Sequence, residues 1–103
     1  MIRVTVSYPP HEGYRFDHSY YQGAHARLIR ERLGAHGLLK LEIDQTLHER
    51  GDTLPASVAA AHLFFDDLDT FKAAMGAEGK ALGADCPHYT DIAPVVLVSQ
   101  VVG

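Results

Sequence analysis

Ile2, Val4, Val6 and Tyr8 alternate with Arg3, Thr5 and Ser7, and this period of two predicts a strand. PPHEGYRF then breaks the pattern with two prolines and a glycine. In YYQGAHARLIRERLG, residues 20 to 34, the spacing changes: Tyr21, Ala24, Leu28 and Ile29 fall on one face of a helix. Asp17 is placed to cap that helix, Phe16 and Tyr21 to form a hydrophobic staple, and Gly34 and Gly37 to stop it. Alternation returns in LLKLEIDQTLH, with Leu39, Leu41, Ile43 and Leu47 on one side and Lys40, Glu42 and Asp44 opposite. ERGDTLPAS reads as a polar loop. VAAAHLFF is a nearly unbroken apolar run, as expected of a central strand covered on both faces. DDLDTFKAAMGAEGKALG opens with Asp66 or Asp67 as cap and lines up Leu68, Phe71, Met75 and Leu82 on one helical face. After the turn-rich CPHYTDIAP, VVLVSQVV is a last strand.

The order β-α-β-β-α-β predicts an α+β, ferredoxin-like fold with a four-stranded antiparallel sheet, in one domain spanning residues 1–103. In such a fold the helices cover one face of the sheet. VAAAHLFF and VVLVSQVV are apolar on both faces, so the second face also needs a cover, and a partner sheet supplies it most economically. A homodimer packed sheet against sheet is expected.

Charge and composition narrow the partners. A formal charge of −4 without a Lys/Arg cluster argues against nucleic acid or an anionic membrane. No apolar run reaches the roughly 18 residues of a membrane span. The chain opens on a strand pattern without the layout of a signal peptide, which predicts a cytoplasmic protein. Cys86, the single cysteine, excludes an internal disulfide and a cysteine-based zinc site.

His25 is the first candidate for chemistry, because it lies inside the apolar stripe, between Leu28 and Ile29. It reads either as a satisfied core histidine or as a general base. Both readings require a partner, since an unpaired buried polar atom costs about 1–3 kcal/mol. Asp91 is a candidate: it would orient the ring and hold a proton on the far nitrogen, leaving the near one free. His18 and Arg32 stand seven residues to either side of His25, forming a column expected to line a cleft. Seven residues span roughly 10.5 Å of helix, too far for His18 and His25 to share a metal. PHYTDIAP gathers His88, Tyr89, Thr90 and Asp91 before a strand, as either a binding loop or a capped turn. His62 shares a strand face with Ala60 and Phe64 and is expected to point inward. Tyr8 offers a phenol to the same cleft or is a core tyrosine. His11, His18, His36 and His48 read as loop or helix-surface residues. No dinucleotide fingerprint, P-loop or nucleophile elbow is present, and no H-x-x-x-H or H-E-x-x-H spacing, so neither cofactor nor metal is expected.

MIRVTVSYP, FDHSYYQGAHARLIRERLG, AHLFFDDLDTF and PHYTDIAPVVLVSQV together resemble the EthD family, small dimeric α/β-barrel proteins. Y-x-x-x-H on the first helix and Y-T-D-I before the last strand carry the resemblance. It implies a cleft between sheet and helices, lined by His25, Thr90 and Asp91. Two positions depart from the family's common pattern. Arg27 stands where a proline is usual, so a straighter helix is expected. His88 stands where asparagine is usual.

The resulting expectation is a cofactor-free enzyme doing acid/base chemistry on a small apolar or aromatic metabolite. His25 would act as general acid/base and Asp91 would orient it, with Tyr21, Thr90, His62, Tyr8 and Tyr89 around the substrate. The alternative is a non-catalytic accessory or ligand-binding protein that supports an oxygenase-based degradation pathway.

Overall fold

The computed structural model describes residues 1–47 and 54–103. His48 and the centre of the polar loop after the second strand lie outside the described residues. Strand β1 (Ile2–Ser7) leads through a loop to helix α1, which has three consecutive parts. His18–Tyr20 is α-helical, Tyr21–His25 forms a widened π-helical turn, and Ala26–Gly34 is α-helical again. Strands β2 (Lys40–Gln45) and β3 (Ala59–Phe65) follow, then helix α2 (Leu68–Asp85), a 3-10 turn (Cys86–His88) and strand β4 (Val95–Gln100). All three strand pairings are antiparallel, and the order across the sheet is β2-β3-β1-β4. This is the ferredoxin-like α+β arrangement.

Local chemistry sets both helix starts. The Asp17 side chain accepts from the Tyr20 N–H at 3.1 Å, and Phe16 meets Tyr21 edge-on with 5.1 Å between ring centroids, completing the staple. Asp67, rather than Asp66, caps α2 by accepting from the Thr70 N–H at 2.8 Å. At the end of α1, Gly37 takes φ +95°, and the Leu38 N–H returns to the Leu33 carbonyl at 3.2 Å.

The core lies between the sheet and the two helices. Val4, Ala61, Leu63 and Phe65 from the strands meet Tyr21, Ile29 and Leu33 from α1 and Ala74 and Leu82 from α2. Ala24 and Leu68 were expected on the inner faces and are exposed. For Ala24 the reason is the π turn. The Ala26 N–H reaches back five residues to the Tyr21 carbonyl, so the turn takes in one more residue. The inner line becomes Tyr21, His25, Ala26, Ile29 and Leu33. The π turn precedes Arg27, which itself lies in the α-helical part Ala26–Gly34. Arg32 also leaves the predicted column, pairing at the surface with Glu78 at 3.5 Å.

The helix-free face is uneven. β3 is interior in the sheet as expected, but β4 is an edge strand whose apolar residues are open on both sides. Val95, Val96, Leu97 and Val98 are 53%, 55%, 62% and 41% exposed. Among the described residues nothing covers these side chains. No helix among the described residues is long and apolar enough to cross a membrane.

The two kinds of glycine here give opposite expectations. A methyl at Gly37 would sit 2.5 Å from Thr70 Cγ2 and force an L-residue to positive φ. Gly37→Ala is expected to lower unfolding free energy by about 1–3 kcal/mol in urea titrations. Gly76, inside α2 with nothing within 4 Å of an added Cβ, should gain about 0.5–1 kcal/mol as Gly76→Ala.

Candidate active site

Widening the helix at Tyr21–His25 brings two rings into register. Tyr21 and His25 stack with centroids 5.4 Å apart and planes 15° from parallel. Both are buried, His25 to 4% relative exposure. Gly23, on the outer side of the same turn, offers no side chain to resist the expansion. From the opposite side come Tyr8, at the end of β1, and Tyr89, just past the 3-10 turn. Their hydroxyls are 2.7 Å apart, and the Tyr89 hydroxyl lies 3.4 Å from His25 Nε2 and 3.1 Å from Cys86 Sγ.

The other nitrogen of His25 settles its orientation. Nδ1 lies 2.8 Å from Asp85 Oδ2, at the last residue of α2. The second oxygen, Oδ1, accepts from the Tyr20 hydroxyl at 2.9 Å and faces His88 Nδ1 at 3.0 Å. With a proton on Nδ1 held toward the carboxylate, Nε2 is left as the free acceptor, turned to the Tyr89 hydroxyl. Burial pushes the Asp85 carboxyl up. Hydrogen bonds with His25, Tyr20 and His88 together outweigh this and hold it below the usual carboxylate range. Burial also pushes the phenols of Tyr8, Tyr21 and Tyr89 up, so at neutral pH they remain donors rather than bases.

Behind this polar corner lies an apolar cavity of about 180 Å³, open on one side. His25, Tyr8, Tyr21 and Cys86 form its polar end. Val4, Ala61 and Leu63 supply the sheet wall, Phe71, Met75 and Leu82 the α2 wall, and Pro94 and Val96 its margin at β4. An engineered apolar cavity of about 150 Å³ is known to hold a benzene ring, so this one suits a single substituted ring. Among the described residues no group of three or more His, Cys, Asp or Glu side chains is arranged to hold a metal ion.

Of the residues singled out in the sequence, His25, Tyr8 and Tyr21 line the cavity end and Tyr89 backs them through its hydroxyl, while Asp91, Thr90 and His62 lie elsewhere. Asp91 is not the partner of His25. Its Oδ1 accepts from the Arg15 N–H at 2.9 Å and lies 3.3 Å from His11, on the surface. The bond from the Arg15 backbone, more than any other influence, holds its carboxyl below the ordinary range. Thr90 is buried, but its hydroxyl is spent on backbone, donating to the Arg15 carbonyl at 2.8 Å and accepting from Ile92 N–H at 3.0 Å. Thr90 and Asp91 thus bond backbone as the capped-turn reading held, but chiefly that of Arg15 rather than of their own turn, and of YTD only the tyrosine reaches the site. His62 shares a face with Ala60 and Phe64 as read, but that face is the helix-free one. There Nε2 lies 2.7 Å from Asp44 Oδ2 and Nδ1 3.3 Å from the Thr5 hydroxyl. Alternation fixes which residues share a face, not which face the helices cover. His18 is partly buried against Phe16, with ring centroids 4.7 Å apart, and burial pushes its imidazole down.

Asp85 is the residue that sequence reasoning missed. One signal was available: a carboxylate closing a helix opposes the negative C-terminal end of the dipole, which calls for a local reason.

The EthD domain profile matches residues 10–93. An EthD-like protein from Ralstonia eutropha JMP134 is 38% identical, superposes with a TM-score of 0.89, and the match covers 99% of this chain and 92% of that one. A dimeric protein of unknown function with a ferredoxin-like fold from Bacteroides fragilis is 15% identical with a TM-score of 0.61, over 97% and 95% of the two chains. A putative monooxygenase from Shewanella loihica PV-4 is 11% identical with a TM-score of 0.63, over 99% and 94%. Among curated protein sequences none matches this chain.

Because Asp85 has a lower carboxyl affinity for protons when folded, its contribution to stability is present above the ordinary value of 3.8 and is lost as pH falls through the folded value. Asp85→Asn is expected to destabilise the protein at neutral pH, with the gap to wild type shrinking as pH drops below 3.8. Urea titrations at both ends of that range measure it, and an unchanged gap contradicts this account of the carboxylate. By profile, by identity and by fold, the chain belongs to the EthD family.

Proposed function

We propose that the protein is an enzyme that moves a proton on a small, mostly apolar ring compound, with His25 as the general base. The observation that supports this most directly is the division of labour on one imidazole. Nδ1 is tied to the Asp85 carboxylate, while Nε2 is left as an acceptor facing the Tyr89 hydroxyl at 3.4 Å, on a ring that lines the apolar cavity. A ligand of one ring fits the cavity, with its oxygen at the Tyr8 hydroxyl. Proton removal next to a carbonyl leaves negative charge on that oxygen. A phenol that burial keeps protonated can donate to it in surroundings where a hydrogen bond is strong. Isomerisation, dehydration, cyclisation and cofactor-free oxidation all begin with such a step.

The active form in this reading is a homodimer. β4 carries Val95 and Leu97 on the helix-free face, and both are more than half exposed. A second copy's sheet would cover them. Leu97→Asp should then convert a dimer to a monomer in analytical ultracentrifugation; a wild-type monomer at micromolar concentration contradicts the assembly.

The chemistry is testable with a generic probe. Cyclohexanone in D2O exchanges its α-protons when a base removes them, and NMR follows the loss. Wild type is expected to accelerate the exchange, and His25→Ala to reduce that acceleration by about 10²–10⁴-fold while the fold is kept. If cyclohexanone binds, by shifts in Tyr8 and His25 signals, yet exchanges no faster than with His25→Ala, the accessory ligand-binding reading replaces the catalytic one.

A further inference from the structure

Asp85 meets two imidazoles at once. One oxygen lies 2.8 Å from Nδ1 of His25, whose side chain is 5% exposed, and the other 3.0 Å from Nδ1 of His88, which is 63% exposed. We propose that His88 is a positioning residue that acts through this shared carboxylate, so that a proton on the outer ring keeps the inner ring neutral. The proposal rests on the reading of His25 as the base.

The argument is electrostatic. A single carboxylate compensates one neighbouring imidazolium well and two poorly, because the second charge meets a site already neutralised. The two rings must therefore compete for protons. The His88 ring keeps most of its contact with water, whereas the His25 ring keeps almost none. Once the outer ring is charged, Asp85 can still accept the Nδ1–H of a neutral His25, so orientation is preserved. A charge resting on the inner ring is then disfavoured, so Nε2 meets a substrate unprotonated.

The surroundings leave this coupling intact. From α1, the Tyr20 hydroxyl donates to Asp85 Oδ1 and lies 3.1 Å from His88 Nδ1, and Tyr21 stacks on His25. From the segment after α2 the Tyr89 hydroxyl lies 3.4 Å from His25 Nε2, and behind it Tyr8 from the end of β1 and Cys86 meet that same hydroxyl. Arg15 is the one fixed cation that touches the turn among these contacts, through Nη2 to the Pro87 carbonyl at 2.8 Å. The C-terminal end of α2 adds a negative field that favours a cation at either ring.

His88→Asn keeps a donor toward Asp85 Oδ1 and removes the competing charge. Imidazole nitrogen signals of both histidines, followed by NMR over a pH series on the full chain without ligand, read the effect directly. In wild type the His25 signals should bend twice, once as His88 takes its proton and once as His25 does. In His88→Asn the first bend disappears, and the pH midpoint of His25 moves up by at least half a unit, about a threefold gain in proton affinity. His88→Ala should give the same upward shift, which separates charge from geometry. Identical His25 titrations in wild type and His88→Asn overturn the proposal. Because no turnover enters this readout, it fails or succeeds independently of the proposed catalysis.

Discussion

The site depends on a carboxylate placed where helix electrostatics disfavour it. Asp85 closes α2, facing the partial negative charge of the last carbonyls. It is held there by donors on two other segments: His25 and Tyr20 from α1, and His88 from the turn toward β4. Removing one partner would leave the others around an under-compensated charge, a costly condition in a half-buried place. The same carboxylate therefore fixes the angle of α1 against α2 and the direction of the His25 ring.

Around that anchor the remaining groups are mostly aromatic. Tyr8, Phe16, Tyr21 and Tyr89 meet one another with centroids between 4.9 and 5.9 Å, mostly edge to face. Such contacts define ring orientation more narrowly than aliphatic packing does. The Tyr8 and Tyr89 hydroxyls, carried into an apolar interior, partner each other, so the polar end of the cavity has its shape before any ligand arrives. The π turn serves the same purpose by placing Tyr21 and His25 on one line.

The fold was legible because its signals are local. Period-two alternation found the strands, Asp17 and Phe16 marked the start of α1, and the order of elements named the architecture. The site was legible only in part. His25 stood out as a polar residue in an apolar stripe, but its partner lies 60 residues away and no spacing rule reaches that far. Asp91 was attractive because it follows a tyrosine in a turn, yet its carboxylate accepts from the Arg15 backbone, 76 residues earlier, a pairing that no local turn rule anticipates. His62 shows a different limit. Alternation gives parity, and only packing tells which parity faces the helices. The π turn was invisible because its hydrogen bonds, not its residue types, define it.

The buttressing of Tyr89 has a consequence for how the protein reaches its working state. The Asp17 N–H donates to the Tyr89 carbonyl at 2.7 Å, Thr90 and Phe16 form an isolated bridge, and Thr90 and Asp91 both bond Arg15. These links join segments more than 70 residues apart, as does the pairing of β1 with β4. Closing so long a loop must precede any reward from the contacts it makes, so such contacts form slowly. Chemical competence is thus a property of the whole chain, resting on contacts that tie its first strand and loop to its last turn.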